Sequence, residues 1–284
     1  MNNFPLDEET ITKMNQAFDK IKASRGEPDK ELDQYYVTKD TSIQRALLVD
    51  SESYNGKRII LIGDMDLTSL VIGMTSKPKD LAVLDIDKRI PEIVFKMKFD
   101  LKIRNIRYVN HDFRIRMIAV LKNQFDYVFL EPPMTKEGLE LGLSRAVQSA
   151  KKDSPAKIFL SFDIEQEKES LIESLIDKMN LEKVEIKENF NNYDFPTPLG
   201  KKNSDLYVLG VKPDSEETIP NHYFGPTYYR ESKNFPQSYK CKCGENYKIG
   251  MDEEFLTITD LEESGCTKCE YRGPFLFESS VEME

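Results

Sequence analysis

Histidine and cysteine are scarce in this 284-residue chain, with two of the first and four of the second. His111 and His222 are too few and too far apart to form a His-based metal site. No apolar run approaches the ~18 residues of a membrane span, so no membrane partner is expected. The opening MNNFPLDEET has no basic segment followed by an apolar stretch, which predicts no signal peptide. An excess of positive charge is also missing. The formal net charge is −10, which argues against a general phosphate-backbone binder, so nucleic acid is not the expected partner. No cysteine precedes residue 240. A disulfide framework fits poorly in a chain this long, and two late pairs predict a cytoplasmic protein with a metal site.

What the chain does have is alternation. A helix is predicted from about Asp7 to Ser24, with Met14, Phe18 and Ile21 on one face. Thr41 or Ser42 can open a second helix. From Lys57 onward, short apolar runs read as strands: 58–62, 81–85, 106–109, 127–130, 157–162, 183–186 and 206–211. Helical patterns fall between most of them, at 67–74, 89–99, 114–122, 135–151 and 165–179. Only an irregular loop separates the last two strands, which favours an antiparallel pair. The expected fold class is therefore α/β, a largely parallel sheet with covered faces. Seven strands ending in such a pair is, by analogy, the layout of the S-adenosylmethionine-dependent transferase-like, Rossmann-like sheet.

In doubly wound sheets the ligand lies at the carboxyl ends of the strands. After the first strand comes Gly63-Asp64-Met65-Asp66, where a dinucleotide binder would place G-x-G-x-x-G. Gly63 allows a tight turn. Two carboxylates would repel a pyrophosphate and favour a cation, such as a sulfonium or an ammonium. The second strand ends at Asp85 and Asp87, either of which can accept ribose hydroxyls, Asp85 being the first choice. Asp112 follows the third strand and can accept from an adenine amino group. Singly, each of these is as readily a turn or N-cap aspartate. Glu131 follows the fourth strand, aimed by Pro132 and Pro133, and can hold an amine and accept its proton.

Taken in order, DQYYVT (33–38), GDMDLTS (63–69), VLDID (83–87), HDFR (111–114), EPPMT (131–135) and NFNNY (189–193) resemble the branched-chain polyamine synthases, or N(4)-bis(aminopropyl)spermidine synthases. The resemblance covers about residues 30–211. It implies transfer of an aminopropyl group from decarboxylated S-adenosylmethionine to a polyamine such as spermidine. It further implies that Asp33, Gln34, Asn191 and Tyr193 line the polyamine or donor site. Asp64, Asp66 and Glu131 become the candidate catalytic residues; Gly63, Asp85, Asp87 and Asp112 become the candidate nucleoside-binding ones. Three departures stand out. The family's loop is Gly-Asp-Asp-Asp, with the central Asp taken as catalytic, and Met65 occupies that place. Glu131 replaces an Asp. The family carries an N-terminal winged-helix-like domain, whereas ~30 residues precede the shared region in this sequence.

Cys241 with Cys243, and Cys266 with Cys269, predict a four-cysteine zinc ribbon around the span FLTITD, with Gly244 and Gly265 at tight turns. The expected organisation is a helical lead (1–56), the Rossmann-like domain (57–211), a linker or arm (212–238) and the ribbon (239–284). The expected ligands are the decarboxylated donor, a small cationic polyamine and a structural zinc ion, and a homodimer is compatible with this reading. The alternatives are a methyltransferase using intact S-adenosylmethionine, and a catalytically silent polyamine- or nucleoside-binding protein.

Overall fold

The structure, a computed structural model, describes residues 8–48, 53–163, 168–197, 200–229, 237–249, 253–255 and 258–280. Parts of the expected lead, arm and ribbon, the first residues of the 165–179 helix, and the Met14 side chain lie outside the described residues. The chain divides into two compact units. The first takes residues up to 30, then 34–132 and 140–223; the second takes 31–33, 133–139 and 224–284.

The first unit is built on one seven-stranded sheet. Its strands are β1 (Arg58–Ile62), β2 (Asp80–Asp85), β3 (Ile106–Asn110), β4 (Tyr127–Leu130), β5 (Ala156–Phe162), β6 (Leu181–Asn192) and β7 (Asn203–Val211). They lie in the order β3-β2-β1-β4-β5-β7-β6. The pairs among β1 to β5 are parallel. β7 runs antiparallel to both β5 and β6, as the missing helix between the last two strands requires. The apolar runs are buried because helices cover the sheet. Ile59, Leu61, Leu81 and Val83 pack into one core with Leu70 of α3 (Thr68–Thr75) and Ile93 of α4 (Arg89–Asp100).

The N-terminal lead belongs to this unit. α1 (Glu8–Arg25) places Phe18 and Ile21 in the same core. α2 (Lys39–Ala46) is capped by Thr38, whose side chain accepts from the Thr41 amide, one turn earlier than the predicted start. Residues 212–223, read from sequence as linker, also join it through α5 (Lys136–Ser149). Arg145 of α5 is fully buried and donates to the backbone carbonyls of Phe113, Ile219 and Asn221, each at 2.7 Å.

That side chain explains one error of the sequence reading. The predicted helix at 114–122 is absent except for a single 3-10 turn at Ala119–Leu121. Arg145 takes the Phe113 carbonyl, and the Tyr223 amide takes the Arg114 carbonyl. A helix needs those two acceptors for its own ladder. The predicted strand at 183–186 is likewise only the centre of β6, a twelve-residue edge strand whose exposed charges protect its open side. α6 (Lys168–Lys178) falls within its expected span.

The second unit contains a three-stranded sheet, β10-β8-β9, of β8 (Gln237–Lys240), β9 (Asn246–Ile249) and β10 (Leu276–Ser280). In the span FLTITD, read from the sequence as strand-rich, the described residues from Ile258 on are helical. Ile258 opens a helix, α7 (Ile258–Ser264), whose Leu261 is fully buried beside Tyr247 and Phe275.

Packing behind the first unit's β4 end is tight. A Cβ added at Gly142 of α5 would lie 2.9 Å from the Pro132 ring and 3.2 Å from Leu130. Proline cannot rotate away, so Gly142→Ala should destabilise by about 1–3 kcal/mol, outweighing alanine's better helix propensity. An unchanged or raised urea midpoint would contradict this packing.

Candidate active site

The order of the sheet reverses between β1 and β4, and there the strand ends open a crevice. Gly63 leaves β1 at φ 78°, and an added Cβ would meet the Glu131 carbonyl at 3.3 Å, so the turn after β1 passes close to β4. Asp64 turns inward. It accepts from the Ser69 amide and hydroxyl at the start of α3. Burial pushes its carboxyl well above the usual range. Met65 is half-buried and packs against the core beneath β1.

Asp66 and Glu131 come together around a side chain that the sequence reading did not select. Arg45 of α2 is 5% exposed. Its Nη1 donates to Asp66 at 3.0 Å and to Glu131 at 2.6 Å, its Nη2 to Glu131 at 3.1 Å, and its Nε to Asn191 at 2.8 Å. Two parallel bonds to one carboxylate are the arrangement that guanidinium geometry favours. Glu131 Oε1 also accepts from the Tyr193 hydroxyl at 3.0 Å, and Tyr193 bonds Ser204 at 2.9 Å. Asp66 accepts the Val37 amide at 2.8 Å, and the Arg25 guanidinium lies 4.0 Å away. The recess lined by Arg45, Asp66, Thr68, Glu131, Phe159 and Ser161 has about 20 Å³ of free space, room for roughly one water molecule.

Burial together with the neighbouring Glu131 charge pushes the Asp66 carboxyl up to about 7. Burial works against the Arg45 charge, but Glu131 and Asp66 more than offset it and raise its pKa. Burial and Glu131 push the Tyr193 phenol well above its ordinary value. The site therefore holds an immobile cation among acids, one of which titrates near neutrality.

Of the remaining predicted residues, Gln34, Asp85 and Asp87 form a second cluster at the β2 end. Asp85 accepts the Asp64 and Asp87 amides at 3.0 and 2.8 Å, which ties the first two strand-end loops together. Burial raises its carboxyl. Asp87 accepts from Gln34 at 2.8 Å and from Arg89 at 2.6 Å; although burial opposes it, these bonds lower its pKa. Asp112 is held by Arg114 of its own loop at 2.8 Å. Asp33 lies in the second unit, in the left-handed region at φ 51°, and accepts the Tyr229 amide at 2.7 Å.

Thus Asp66 and Glu131 line one recess and are joined through Arg45 and hydrogen bonds to Asn191 and Tyr193, and Gln34, Asp85 and Asp87 share the neighbouring loops. The arginines that pair them were missed. The one sequence signal for Arg45 was its place one turn after Thr41 and Ser42, on the inward face of a short helix.

In the second unit the four cysteine sulfurs all lie within 4.8 Å of one another. Cys241–Cys269 and Cys243–Cys266 are separated by 3.5 and 3.6 Å. Tetrahedral zinc with Zn–S bonds of about 2.3 Å needs sulfurs about 3.8 Å apart, so the residues fit that ion. Gly244 and Gly265 adopt φ 93° and 81° at the turns. Four thiolates would close the site and leave no position for a substrate.

Two outcomes follow. The purified protein should carry about one zinc per chain by metal analysis, and Cys266→Ser should lose it; a metal-free, folded second unit would contradict the fit. For Asp66, the folded carboxyl lies above its unfolded value of 3.8. Its contribution to stability is complete below that value and is lost as pH rises through about 7. The stability difference between wild type and Asp66→Asn, by urea unfolding, should therefore fall from pH 4 to 7.5; a flat difference would show an unshifted carboxyl.

Comparison with known proteins identifies the family and a similar fold. A family described as "Branched-chain polyamine synthase A C-terminal domain" matches residues 13–217. An uncharacterized protein of Methanocaldococcus jannaschii is 34% identical over 242 residues, covering 82% of this chain and 58% of the relative. The N(4)-bis(aminopropyl)spermidine synthase of Thermococcus kodakarensis is 30% identical over 144 residues, covering 50% of this chain and 41% of the relative. The chain thus spans about half the length of the curated relatives it matches. In fold it is similar to the branched-chain polyamine synthase of Thermus thermophilus, solved with N4-aminopropylspermidine and 5'-methylthioadenosine. That match has a TM-score of 0.67 at 19% identity and covers 77% of this chain and 69% of that one. With the family match extending over most of the seven-stranded unit, the chain belongs to the branched-chain polyamine synthase family.

Proposed function

We propose that this protein transfers an aminopropyl group from decarboxylated S-adenosylmethionine to a nitrogen of a polyamine, with spermidine the first acceptor to test. The observation that carries the reading is the convergence of Asp66, Glu131, Asn191 and Tyr193, from three separate family-like motifs, in one hydrogen-bonded network at the switch point. The product-like ligands of the Thermus thermophilus relative support the same chemistry.

In this reading Asp85, at the end of β2, accepts the ribose hydroxyls. Asp87 and Gln34 stand beside it. Asp112 lies at the β3 end for the adenine amino group. The acceptor nitrogen attacks the aminopropyl carbon bonded to sulfur. The new C–N bond forms as the C–S bond breaks, and sulfur keeps the electron pair, leaving 5'-methylthioadenosine. Glu131 orients the nitrogen. The zinc ribbon is a structural module.

Met65 favours a second reading, a nucleoside- and polyamine-binding protein with little turnover. A thioether cannot take the proton that an acceptor ammonium must lose. The two readings separate by mass spectrometry of the purified chain incubated with the decarboxylated donor and spermidine. Aminopropylated product is expected, and Met65→Asp should raise its rate at neutral pH. Binding of both ligands without product in either protein would establish the second reading. If wild type already turns over and Met65→Asp is no faster, position 65 does not limit the chemistry.

A further inference from the structure

The polyamine reading calls for acids that hold cations, yet the acids of the recess already hold one. Arg45 lies between Asp66 and Glu131 with four hydrogen bonds, and a fifth contact orders the assembly, because Asn191, which Arg45 engages, is itself fixed by Ser204 at 3.1 Å. α2 cannot drift away easily. Thr41 exchanges hydrogen bonds with the backbone of Asn192, and the Ser42 hydroxyl bonds the Asp66 carbonyl.

The charges facing the recess can be counted by element. α1 brings Arg25, whose other partner is Asp194 beyond β6. α2 brings Arg45. The β1 loop brings Asp66 and the buried Asp64, which burial drives toward its neutral form. β4 ends in Glu131, and the segment after β6 brings the neutral phenol of Tyr193. Two guanidiniums thus face Asp66 and Glu131, Arg45 directly and Arg25 shared with Asp194, and little negative charge is left for an ammonium. A hydrogen-bond acceptor is left: Glu131 Oε2 receives one bond, from Arg45, and keeps a second lone pair. Glu131 is also the recess acid with some exposure, its side chain being 17% accessible.

We infer that Arg45 is an internal counter-ion that selects the protonation state of the acceptor: the reacting nitrogen is admitted at Glu131 as an uncharged amine, its N–H donating to Oε2, and an ammonium is refused. This rests on the aminopropyl-transfer reading and deepens it. It offers an alternative to the base that Met65 cannot be. The proton is left in solvent before the nitrogen binds, and the free lone pair faces the donor carbon. Arg45 is a positioning and specificity residue that acts through Glu131. The other nitrogens of a polyamine, away from this point, keep their charge.

The test is calorimetry of wild type with spermidine at pH 8, in two buffers of different ionisation enthalpy. At that pH an aliphatic amine, with a pKa near ~10, is charged in water. About one proton should be released per spermidine bound, and affinity should rise about tenfold per pH unit from 7 to 9. Binding with no proton release, or no binding between pH 7 and 10, overturns the inference. This measurement needs no variant, so it stands even if a substitution at Arg45 unfolds the chain. Arg45→Gln, where folded, leaves Glu131 without its guanidinium and Asp66 with Arg25 alone at 4.0 Å; it should bind spermidine at least tenfold more tightly at pH 7 and release no proton. Equal or weaker binding overturns the inference. Arg45→Lys should keep the wild-type proton release. Failure of the transferase reading appears elsewhere, as the absence of aminopropyl product with any amine, while the proton count still decides the role of Arg45.

Discussion

The guanidinium of Arg45 is the interaction on which the site depends. It joins α2, the β1 loop, the end of β4 and the end of β6 at one point. Four elements far apart in sequence are thereby held in one geometry. Removing one member of such a buried ion group costs about 3–5 kcal/mol, because the partners are left charged and unpaired. The same pairing sets the charge of the recess.

The strand-end acids are not equivalent, although they form a regular series in sequence. Asp66 and Glu131 share Arg45. Asp87 and Asp112 are each closed by an arginine two residues further along, Arg89 and Arg114. Asp163, at the end of β5, pairs with Lys201. Asp64 and Asp85 bind main-chain amides and act first as turn-formers. A row of carboxylates thus divides into counter-ions, turn supports and a small set of acceptors facing the recess. The protein carries ten surplus negative charges overall, and this crevice holds few of them free.

A thioether at Met65 and acids paired with Arg45 point in the same direction. A binding site that relies on charge excess holds its amine as an ammonium and must then deprotonate it. A site balanced by its own arginine has no such step to perform. The Asp66 carboxyl, poised at about 7, is what burial and a close acid produce when the compensating guanidinium is shared.

Much of the first unit could be read from the chain alone. Seven strand positions, their parallel and antiparallel senses and most helices follow from short apolar runs, because a strand buried on both faces has no polar residues to hide. The cysteine spacing likewise announced a four-sulfur cluster. Tertiary structure overruled local pattern at 114–122, where Arg145 and Tyr223 took the carbonyls that a helix needs, and at Ile258, where an isolated apolar run became helix. The sequence by itself determined which residue types stand at the strand ends, since loop position follows from periodicity. Only the tertiary structure decided how those acids are paired, since that depends on Arg45, Arg89 and Arg114. Nothing in one-dimensional spacing says that an arginine thirteen residues before β1 will reach the carboxylates at its far end.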